Sequence, residues 1–390
     1  MEKLFQQFTF SLPTRIEFGA GAIKRTASLM SETVKGTRTF VVTDPGLEKA
    51  GLVEPVVKQL SEAGYKVRVF DEVQPNPKDI DCERGGVVAR EFGADHILAL
   101  GGGSVIDSAK AIALLNTHEG AIAQYAGRGK VSREVTPVVA IPTTAGTGSE
   151  VTRSAVITDT VKKLKFTVKD IRLAPKLAII DPETTYSLPE SLTASTGMDA
   201  LVHAIEAFTC KAATPFSDVW AKEAIRLIFS SLRAAVHRGT PAARTAMMLG
   251  SVMAGIAFSH ADVAAVHCMA EALGGLYDTP HGVANSIFLP VVTQFNAEAA
   301  PSKHAEVARL CGLPVNGLSE AESARLLVSE LEQLARDIGI PRFSELGYVN
   351  PADFQALAQV SFENGSTPTN CRDITCEDYL ALFRKAYQSA

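Results

Sequence analysis

Residues 97–110 read ILALGGGSVIDSAK and predict a β-strand, a glycine turn and the start of an α-helix. The apolar run 97–100 has strand composition, and three glycines separate it from Ser104. Glycines let the backbone approach a pyrophosphate, and the first turn of a helix presents free N–H groups at the positive end of its dipole. The spacing departs from G-x-G-x-x-G, so a plain tight turn is the alternative to a nucleotide-binding loop.

The same strand-then-helix unit recurs through the first half of the chain. Apolar runs at 39–43 and 67–70 precede the quoted strand, and the three runs begin 28 to 30 residues apart. That is close to the roughly 30 residues of a strand, a helix and a crossover. Later runs at 138–141 and 177–180 extend the series, with a hairpin predicted within 152–168. This order predicts a mostly parallel, Rossmann-like sheet with helices on both faces.

The composition changes beyond about Pro189 to Ala, Leu, Met and Glu with helical periodicity. We therefore predict an α/β domain over residues 1–188 and an all-α domain over residues 189–390. A ligand cleft is expected between the carboxyl ends of the strands and the helical half.

Composition excludes several classes of protein. The 390 residues are 46% hydrophobic, which excludes a disordered chain. The chain has 38 basic and 43 acidic side chains, so it offers no basic surface for nucleic acid or an anionic membrane. The N-terminus lacks the apolar segment of a secretion signal, and no run approaches the roughly 20 apolar residues of a membrane span. Six cysteines without C-x-x-C spacing indicate reduced thiols. We predict a cytoplasmic protein without nucleic-acid or membrane partners.

Two further segments are predicted at the same edge of the sheet as the glycine turn. Asp44 follows the first of these strands, where a carboxylate can bind the adenosine ribose hydroxyls and repel a 2′-phosphate, which favours NAD over NADP. The alternative for Asp44 is an N-cap or turn residue ahead of Pro45. The loop 142–149, PTTAGTGS, follows another strand and adds small hydroxyl side chains.

The second half contains a candidate metal site. Asp199 and His203 stand four apart in a segment of helical composition, so their side chains lie within roughly 40° of each other on one face. His267 and His281 can add two imidazoles. Three neutral nitrogens and one carboxylate suit Fe²⁺ or Zn²⁺ and leave a coordination position for a substrate oxygen. Taken singly, each histidine could equally be a core residue.

The surroundings of these histidines are predicted from turn signals. The helix that carries His267 is expected to end at the glycine pair 274–275, and residues 279–282 are expected to form a turn that returns His281 toward the site. His260, seven residues before His267, is a candidate for supporting the ligands from behind.

Taken together, these segments resemble the iron-containing (group III) alcohol dehydrogenase family over essentially the whole chain. The matching segments are 101–107 (GGGSVID), 141–152 (IPTTAGTGSEVT), 197–206 (GMDALVHAIE), His267 and 280–285 (PHGVAN). The resemblance implies a dehydroquinate synthase-like architecture, NAD and a divalent ion, Fe²⁺ or Zn²⁺. The implied metal ligands are Asp199, His203, His267 and His281. The implied cofactor-binding residues are Asp44, Gly102, Gly103, Ser104, Thr143, Thr144, Thr147, Thr152 and Lys165.

One position departs from many relatives, the lactaldehyde:propanediol oxidoreductase type among them. They have a second histidine four residues after the third metal ligand, whereas this chain has Glu271. A carboxylate four residues after His267 lies on the same helix face and can carry a proton. Glu271 and His267 are therefore the catalytic candidates, and a salt bridge on the helix face is the alternative role for Glu271.

The resemblance implies reversible hydride transfer between a small primary alcohol and NAD, with the metal as Lewis acid. A first alternative is a reductase of a small anionic aldehyde, if Arg153 lines the pocket. A lyase like dehydroquinate synthase would want more basic residues in the helical half than the chain has there. A nucleotide-sensing or metal-storage protein is the non-enzymatic alternative. A homodimer is usual for the family, and residues 8–18 could supply an exchanged edge strand.

Overall fold

The computed structural model describes residues 7–388, which fall into two compact units. The α/β unit comprises Ser11–Thr144 and Gly148–Ser187. The helical unit comprises the described chain from Leu188 onward, the described residues before Ser11 and the short loop Ala145–Thr147. By their contacts, that loop and the described residues before Ser11 group with the helical unit, and the boundary predicted between residues 188 and 189 stays a prediction.

The α/β unit contains nine strands and five α-helices within its described residues. The strands are β1 (Arg15–Phe18), β2 (Arg38–Val42), β3 (Lys66–Phe70), β4 (His96–Gly101), β5 (Gly127–Arg128), β6 (Val138–Pro142), β7 (Ser154–Asp159), β8 (Leu164–Lys169) and β9 (Leu177–Ile180). The helices are α1 (Thr26–Thr33), α2 (Pro45–Lys49), α3 (Val53–Glu62), α4 (Asp79–Phe92) and α5 (Gly103–Thr117).

Six of these strands form one parallel sheet in the order β1-β9-β6-β4-β2-β3. The predicted parallel sheet is confirmed, and so is the hairpin, whose strands β7 and β8 pair antiparallel beside β5 in a small second sheet. Every residue of the central strand β4 is buried, because helices pack on both faces of the sheet. The strands β1 and β5 are short and had no clear apolar run to mark them.

Close packing of α4 on α5 fixes the helix that follows the glycine turn. A β-carbon on Gly85 would lie 2.4 Å from the Ile112 side chain, and one on Gly86 would lie 2.6 Å from Leu115. Such distances are far below van der Waals contact, so only glycine lets α4 approach α5 this closely. The position of α5, and of the loop at its N-terminus, depends on this contact.

The helical unit contains nine α-helices within the described residues, and the predicted all-helical character of this half is confirmed. They are α6 (Glu190–Thr209), α7 (Pro215–His237), α8 (Pro241–His260), α9 (Ala265–Tyr277), α10 (His281–Ala297), α11 (Pro301–Leu310), α12 (Glu320–Asp337), α13 (Phe354–Glu363) and α14 (Cys376–Gln388).

One helix in the described chain, α8, is long and apolar enough by length and composition to span a membrane. It packs against α6 and α7, and 67% of its most apolar 18-residue stretch is buried. Its Arg244 is also buried and donates to the Thr193 hydroxyl at 2.7 Å. These contacts are those of a core helix of the helical unit.

Candidate functional site

Three helices of the helical unit carry the predicted metal ligands. Asp199 and His203 lie one turn apart on α6, and both are buried. His267 lies in the first turn of α9 and is buried, and His281 is the first residue of α10 and is partly exposed. The structure therefore brings together all four side chains from three segments of the sequence.

The candidate ligand atoms have the spacing of a coordination shell. Nε2 of His267 lies 3.0 Å from Nε2 of His203 and 3.8 Å from Oδ1 of Asp199, and Nε2 of His281 lies 3.7 Å from the same oxygen. Metal–ligand bonds of about 2.1 Å in a tetrahedron place neighbouring ligand atoms about 3.4 Å apart. The ligand atoms of Asp199, His203 and His267 all lie within 4.8 Å of one another. This donor set fits a divalent cation.

The hydrogen bonds around the ligand atoms support the same conclusion. The Asn285 amide nitrogen donates to Oδ1 of Asp199 at 2.6 Å and lies 3.2 Å from Nε2 of His267 and 3.1 Å from Nε2 of His281. A single donor group thus faces several acceptor atoms that would otherwise repel one another. Within residues 7–388, Oδ1 of Asn285 and Nδ1 of His203 are buried without a hydrogen-bond partner. An ion or a ligand can satisfy buried polar atoms of this kind.

The two buried histidines titrate in opposite directions. Burial lowers the pKa of His203 to about 4, so this imidazole is neutral and able to bind a cation. Burial also opposes the charged form of His267, but the neighbouring Glu206 carboxylate outweighs it and raises the pKa of His267. The Nδ1 atom of His267 lies 2.6 Å from Oε2 of Glu206, so only its Nε2 faces the other ligands.

Three expectations about the surroundings of the ligands were wrong. Helix α9 does not end at the glycine pair 274–275 but continues through Tyr277, because the buried glycines pack inside the unit. His281 begins α10 rather than lying in a turn. His260 ends α8, where Nδ1 lies 2.7 Å from the Ile256 carbonyl oxygen and the ring stacks on Phe10, so it does not support His267.

Sequence reasoning also missed three side chains that touch the ligands. Glu206 contacts His267, Asn285 contacts Asp199, and the Phe258 ring stacks on His203 at 4.3 Å. A signal for Glu206 was present, because it stands seven residues after Asp199 and three after His203 and therefore shares their helix face. Asn285 stands four residues after His281, which is the same kind of signal.

In the α/β unit, the glycine turn joins β4 to α5 as predicted. Gly102 is the N-cap residue of α5 and provides no side-chain cap for the first turn. A β-carbon on Gly102 would lie 3.2 Å from the Thr144 side chain, and the Thr143 N–H donates to the Gly101 carbonyl at 3.1 Å. Gly103 and Ser104 form the first turn of α5. The geometry is that of a loop able to accept a phosphate group.

A buried network ties α5 to the loop that follows β6. The Lys110 ammonium donates to the Ser149 hydroxyl at 2.7 Å, the Thr152 hydroxyl at 3.0 Å and the Ser154 carbonyl at 2.8 Å. Asp107 accepts from the Ser149 hydroxyl and from the Val156 N–H at 2.9 Å. The Thr152 hydroxyl is therefore engaged by the protein itself, which indicates that it orders the loop.

The other predicted cofactor residues lie in different settings. Asp44 caps α2 by accepting from the N–H groups of Gly46 at 2.8 Å and Leu47 at 3.1 Å, and both bonds use Oδ1. The capping role weighed as its alternative is thus present. The Lys165 ammonium donates to Oδ1 of Asn76 at 2.8 Å. Thr147 is half-buried and lies in the short loop of the helical unit.

Glu271 is half-buried and accepts a hydrogen bond at 2.7 Å from the side-chain amide of Asn364. The observed partner of Glu271 is thus a neutral amide, not the basic side chain that a salt bridge requires. Glu271 lies one helical turn after His267, as the spacing predicted.

Glu150 introduces a dependence of stability on pH. Burial raises its pKa from 4.5 to about 7, and its Oε1 has no hydrogen-bond partner within the described residues. Between these two pKa values the folded state binds more protons than the unfolded state, so stability falls as pH rises through this window.

We expect Glu150→Gln to be more stable than wild type at pH 8 by about 3 kcal/mol and similar to it at pH 5, in urea unfolding. Parallel pH profiles for the two proteins would contradict this expectation.

Comparisons with known proteins show the family to which the chain belongs. The iron-containing alcohol dehydrogenase model matches residues 13–182, and the C-terminal model of the Fe-containing alcohol dehydrogenase family matches residues 193–387. The 1,3-propanediol dehydrogenase of Klebsiella pneumoniae is 42% identical, over 98% of this chain and 100% of that protein. The NAD-dependent methanol dehydrogenase of Bacillus methanolicus is 40% identical, over 97% and 99%.

A crystal structure of 1,3-propanediol oxidoreductase superimposes with a TM-score of 0.94 at 42% identity, covering 98% of this chain and all of that one. The chain therefore belongs to the iron-containing alcohol dehydrogenase family. It is an oxidoreductase, a metal-dependent and NAD-linked alcohol dehydrogenase or aldehyde reductase, as the sequence predicted.

Proposed function

We propose that this chain interconverts a small primary alcohol and its aldehyde with NAD, and that Asp199, His203, His267 and His281 hold the divalent ion, Fe²⁺ or Zn²⁺. The observation that carries the proposal is the convergence of their ligand atoms, 3.0 to 3.8 Å apart, from three helices. A divalent ion bound there would supply Lewis-acid polarisation of the substrate oxygen.

The cofactor is proposed to bind at the N-terminus of α5. The pyrophosphate would be held by the backbone of Gly102, Gly103 and Ser104, where the first turn has no side-chain cap. Further proposed contacts come from Asp44, Thr143, Thr144, Thr147, Thr152 and Lys165. Preference for NAD over NADP would come from Asp44, whose Oδ2 is not used in capping α2.

The substrate is proposed to be a small, uncharged primary alcohol. The names of the relatives, 1,3-propanediol dehydrogenase and methanol dehydrogenase, support this size and class. NAD, when bound, would supply the hydride acceptor for oxidation of the carbinol carbon, and the substrate hydroxyl would give up a proton. The products would be the aldehyde, NADH and a proton, for which the chain would have to provide an acceptor.

The test is a reconstitution assay on the full chain. Metal is removed by chelation, Fe²⁺ or Zn²⁺ is added back, and NADH absorbance is followed with methanol, 1,3-propanediol, lactaldehyde, short alkanals and acidic semialdehydes. We expect metal-dependent turnover of the neutral substrates, unaffected in Arg153→Ala. Turnover of only the acidic semialdehydes, lost in Arg153→Ala, would favour the anionic-aldehyde reductase. Absence of any turnover with bound metal and NAD would contradict the proposal and favour a sensor or storage protein.

Glu271 is proposed as the proton acceptor, one turn beyond His267. Glu271→Gln keeps the size of the side chain but removes its basicity, so we expect kcat to fall by about 100-fold and the pH dependence of kcat to flatten. Asn364→Ala is the matched control, because it removes the observed hydrogen bond and leaves the carboxylate in place. Equal losses in both variants, with an unchanged pH profile, would indicate that Glu271 only anchors Asn364.

We further propose a cytoplasmic homodimer. The strand β1 lies at the edge of the sheet beside β9, and within residues 7–388 no other strand pairs with it, so a strand of a second copy could pair there. Neither nucleic acid nor a membrane is proposed as a partner, since the net charge of −5 offers no attraction to anionic polymers or lipids.

A further inference from the structure

We propose that Glu206 is a positioning residue of the metal centre, which holds His267 in the orientation and tautomer that bind a cation. The inference rests on the proposed metal site and adds a residue to it that makes no contact with the ion. It is argued from the contacts of one buried carboxylate that links α6 and α9.

The Glu206 carboxylate is fully engaged by α9. It is 3% exposed, and its Oε2 accepts from Nδ1 of His267 at 2.6 Å and from the Ala264 N–H at 2.9 Å. Its Oε1 accepts from the Val266 N–H at 2.7 Å. Three donors therefore compensate the burial of the carboxylate, and all three belong to the first turn of α9 or to the residue before it.

Helix α9 has no cap of its own, which explains why a carboxylate from another helix is needed. Its N-cap residue, Ala264, has no side chain that can accept a hydrogen bond. By contrast, α7 and α8 are preceded by the N-cap residues Thr214 and Thr240, whose hydroxyls accept hydrogen bonds from the first turns of these helices. Glu206 takes this role for α9 and places a negative charge at the positive end of the helix dipole.

The same carboxylate determines which nitrogen of the His267 ring carries the proton. When His267 binds a cation through Nε2, its single N–H is at Nδ1, and the Glu206 carboxylate 2.6 Å away accepts that N–H. Nε2 then presents its lone pair toward His203 and Asp199, 3.0 and 3.8 Å away. The Asn285 amide nitrogen, which must donate to Asp199 at 2.6 Å, also faces this Nε2 at 3.2 Å, as expected if Nε2 is an acceptor.

Glu206 also connects the ligands to one another. It stands three residues after His203 on α6, so one side chain fixes the start of α9 against the helix that carries two of the other ligands. Partners of this kind typically change metal affinity by 10- to 100-fold when they are removed.

The test compares metal binding by the full-length wild type and Glu206→Gln after chelation. A glutamine of equal size cannot accept at both oxygen positions, so an N–H group would face either Val266 or the pair of donors at Oε2. We expect the Kd for Zn²⁺, from competition with a chromophoric chelator, to rise by about 10- to 100-fold. We also expect the visible absorption bands of the Co²⁺-loaded protein to shift, which loss of a helix cap alone would not cause.

Two further variants separate positioning from stability. Thr214→Ala removes the buried cap of α7 and touches no ligand, so it should lower the urea midpoint of the metal-free protein and leave the Kd within twofold of wild type. Glu206→Asp keeps the charge with a shorter reach and should bind metal with an affinity between those of wild type and Glu206→Gln. It also provides the test if the glutamine variant does not fold.

The outcomes distinguish this inference from the proposed function. If wild type binds metal and both Glu206 variants bind it with the same Kd and the same Co²⁺ spectrum, the positioning role is overturned. If wild type itself binds no divalent metal, the proposed metal site fails, whatever the variants do.

Discussion

Replacing Asp199 by asparagine is expected to abolish metal binding and to lower kcat/KM by about 1,000-fold or more. Asp199 is the one carboxylate among the four proposed ligands, and its Oδ1 lies within 3.8 Å of Nε2 of both His267 and His281. Loss of its charge leaves three neutral imidazoles, which bind Fe²⁺ or Zn²⁺ less tightly. Lewis-acid polarisation contributes several kcal/mol to such reactions, and about 4 kcal/mol corresponds to about 1,000-fold in rate.

Elemental analysis and NAD binding distinguish this outcome from misfolding. Metal content should fall to background, whereas the affinity for NAD should stay within about threefold of wild type, since the proposed NAD loop lies in the other unit. Asp218→Asn is the matched control, because Asp218 pairs with Lys303 in the helical unit and contacts none of the proposed ligands. A stoichiometric metal content in Asp199→Asn would refute the proposed ligand set.

The sheet could be predicted from the sequence because its signal is local. Each of β2, β3, β4, β6 and β9 is a short apolar run followed by helical periodicity or a turn, and this pattern alone specifies a parallel sheet. The edge strand β1 differs, because its residues Arg15 and Glu17 alternate with apolar ones on a half-exposed strand. Its partner β9 lies about 160 residues further on, and no local pattern records that pairing.

The candidate site was likewise predictable only where its residues lie close together in the sequence. Asp199 and His203 could be paired from their spacing, because an α-helix places residues four apart on one face. Their meeting with His267 and His281 depends on how three helices pack, and only the family resemblance suggested it. The error at the glycine pair 274–275 has the opposite cause. Glycine has low helix propensity, but this pair is buried within α9, and the packing of the helix outweighs that local preference.

Replacing Lys110 by methionine is expected to raise the Kd for NAD by at least tenfold and to lower the free energy of unfolding by about 3–5 kcal/mol. Lys110 is fully buried, and its ammonium donates to the hydroxyls of Ser149 and Thr152 in the loop after β6 and to the Ser154 carbonyl at the start of β7. Methionine fills a similar volume but leaves those oxygens, and the nearby Asp107 carboxylate, without their cation. The loop between β6 and β7 should then lose its fixed position beside α5.

Lys58→Met provides the matched control, because this lysine of α3 is 72% exposed and its contact with Glu62 is a surface ion pair. It should change neither NAD affinity nor stability measurably. Calorimetric titration with NAD and urea unfolding give the two values for each variant, and metal content should remain that of wild type in both. The loss of NAD affinity should also exceed any loss in kcat, because the network orders the binding loop without touching the reacting atoms. Unchanged NAD affinity in Lys110→Met would mean that the Lys110 network stabilises the fold without shaping the nucleotide site.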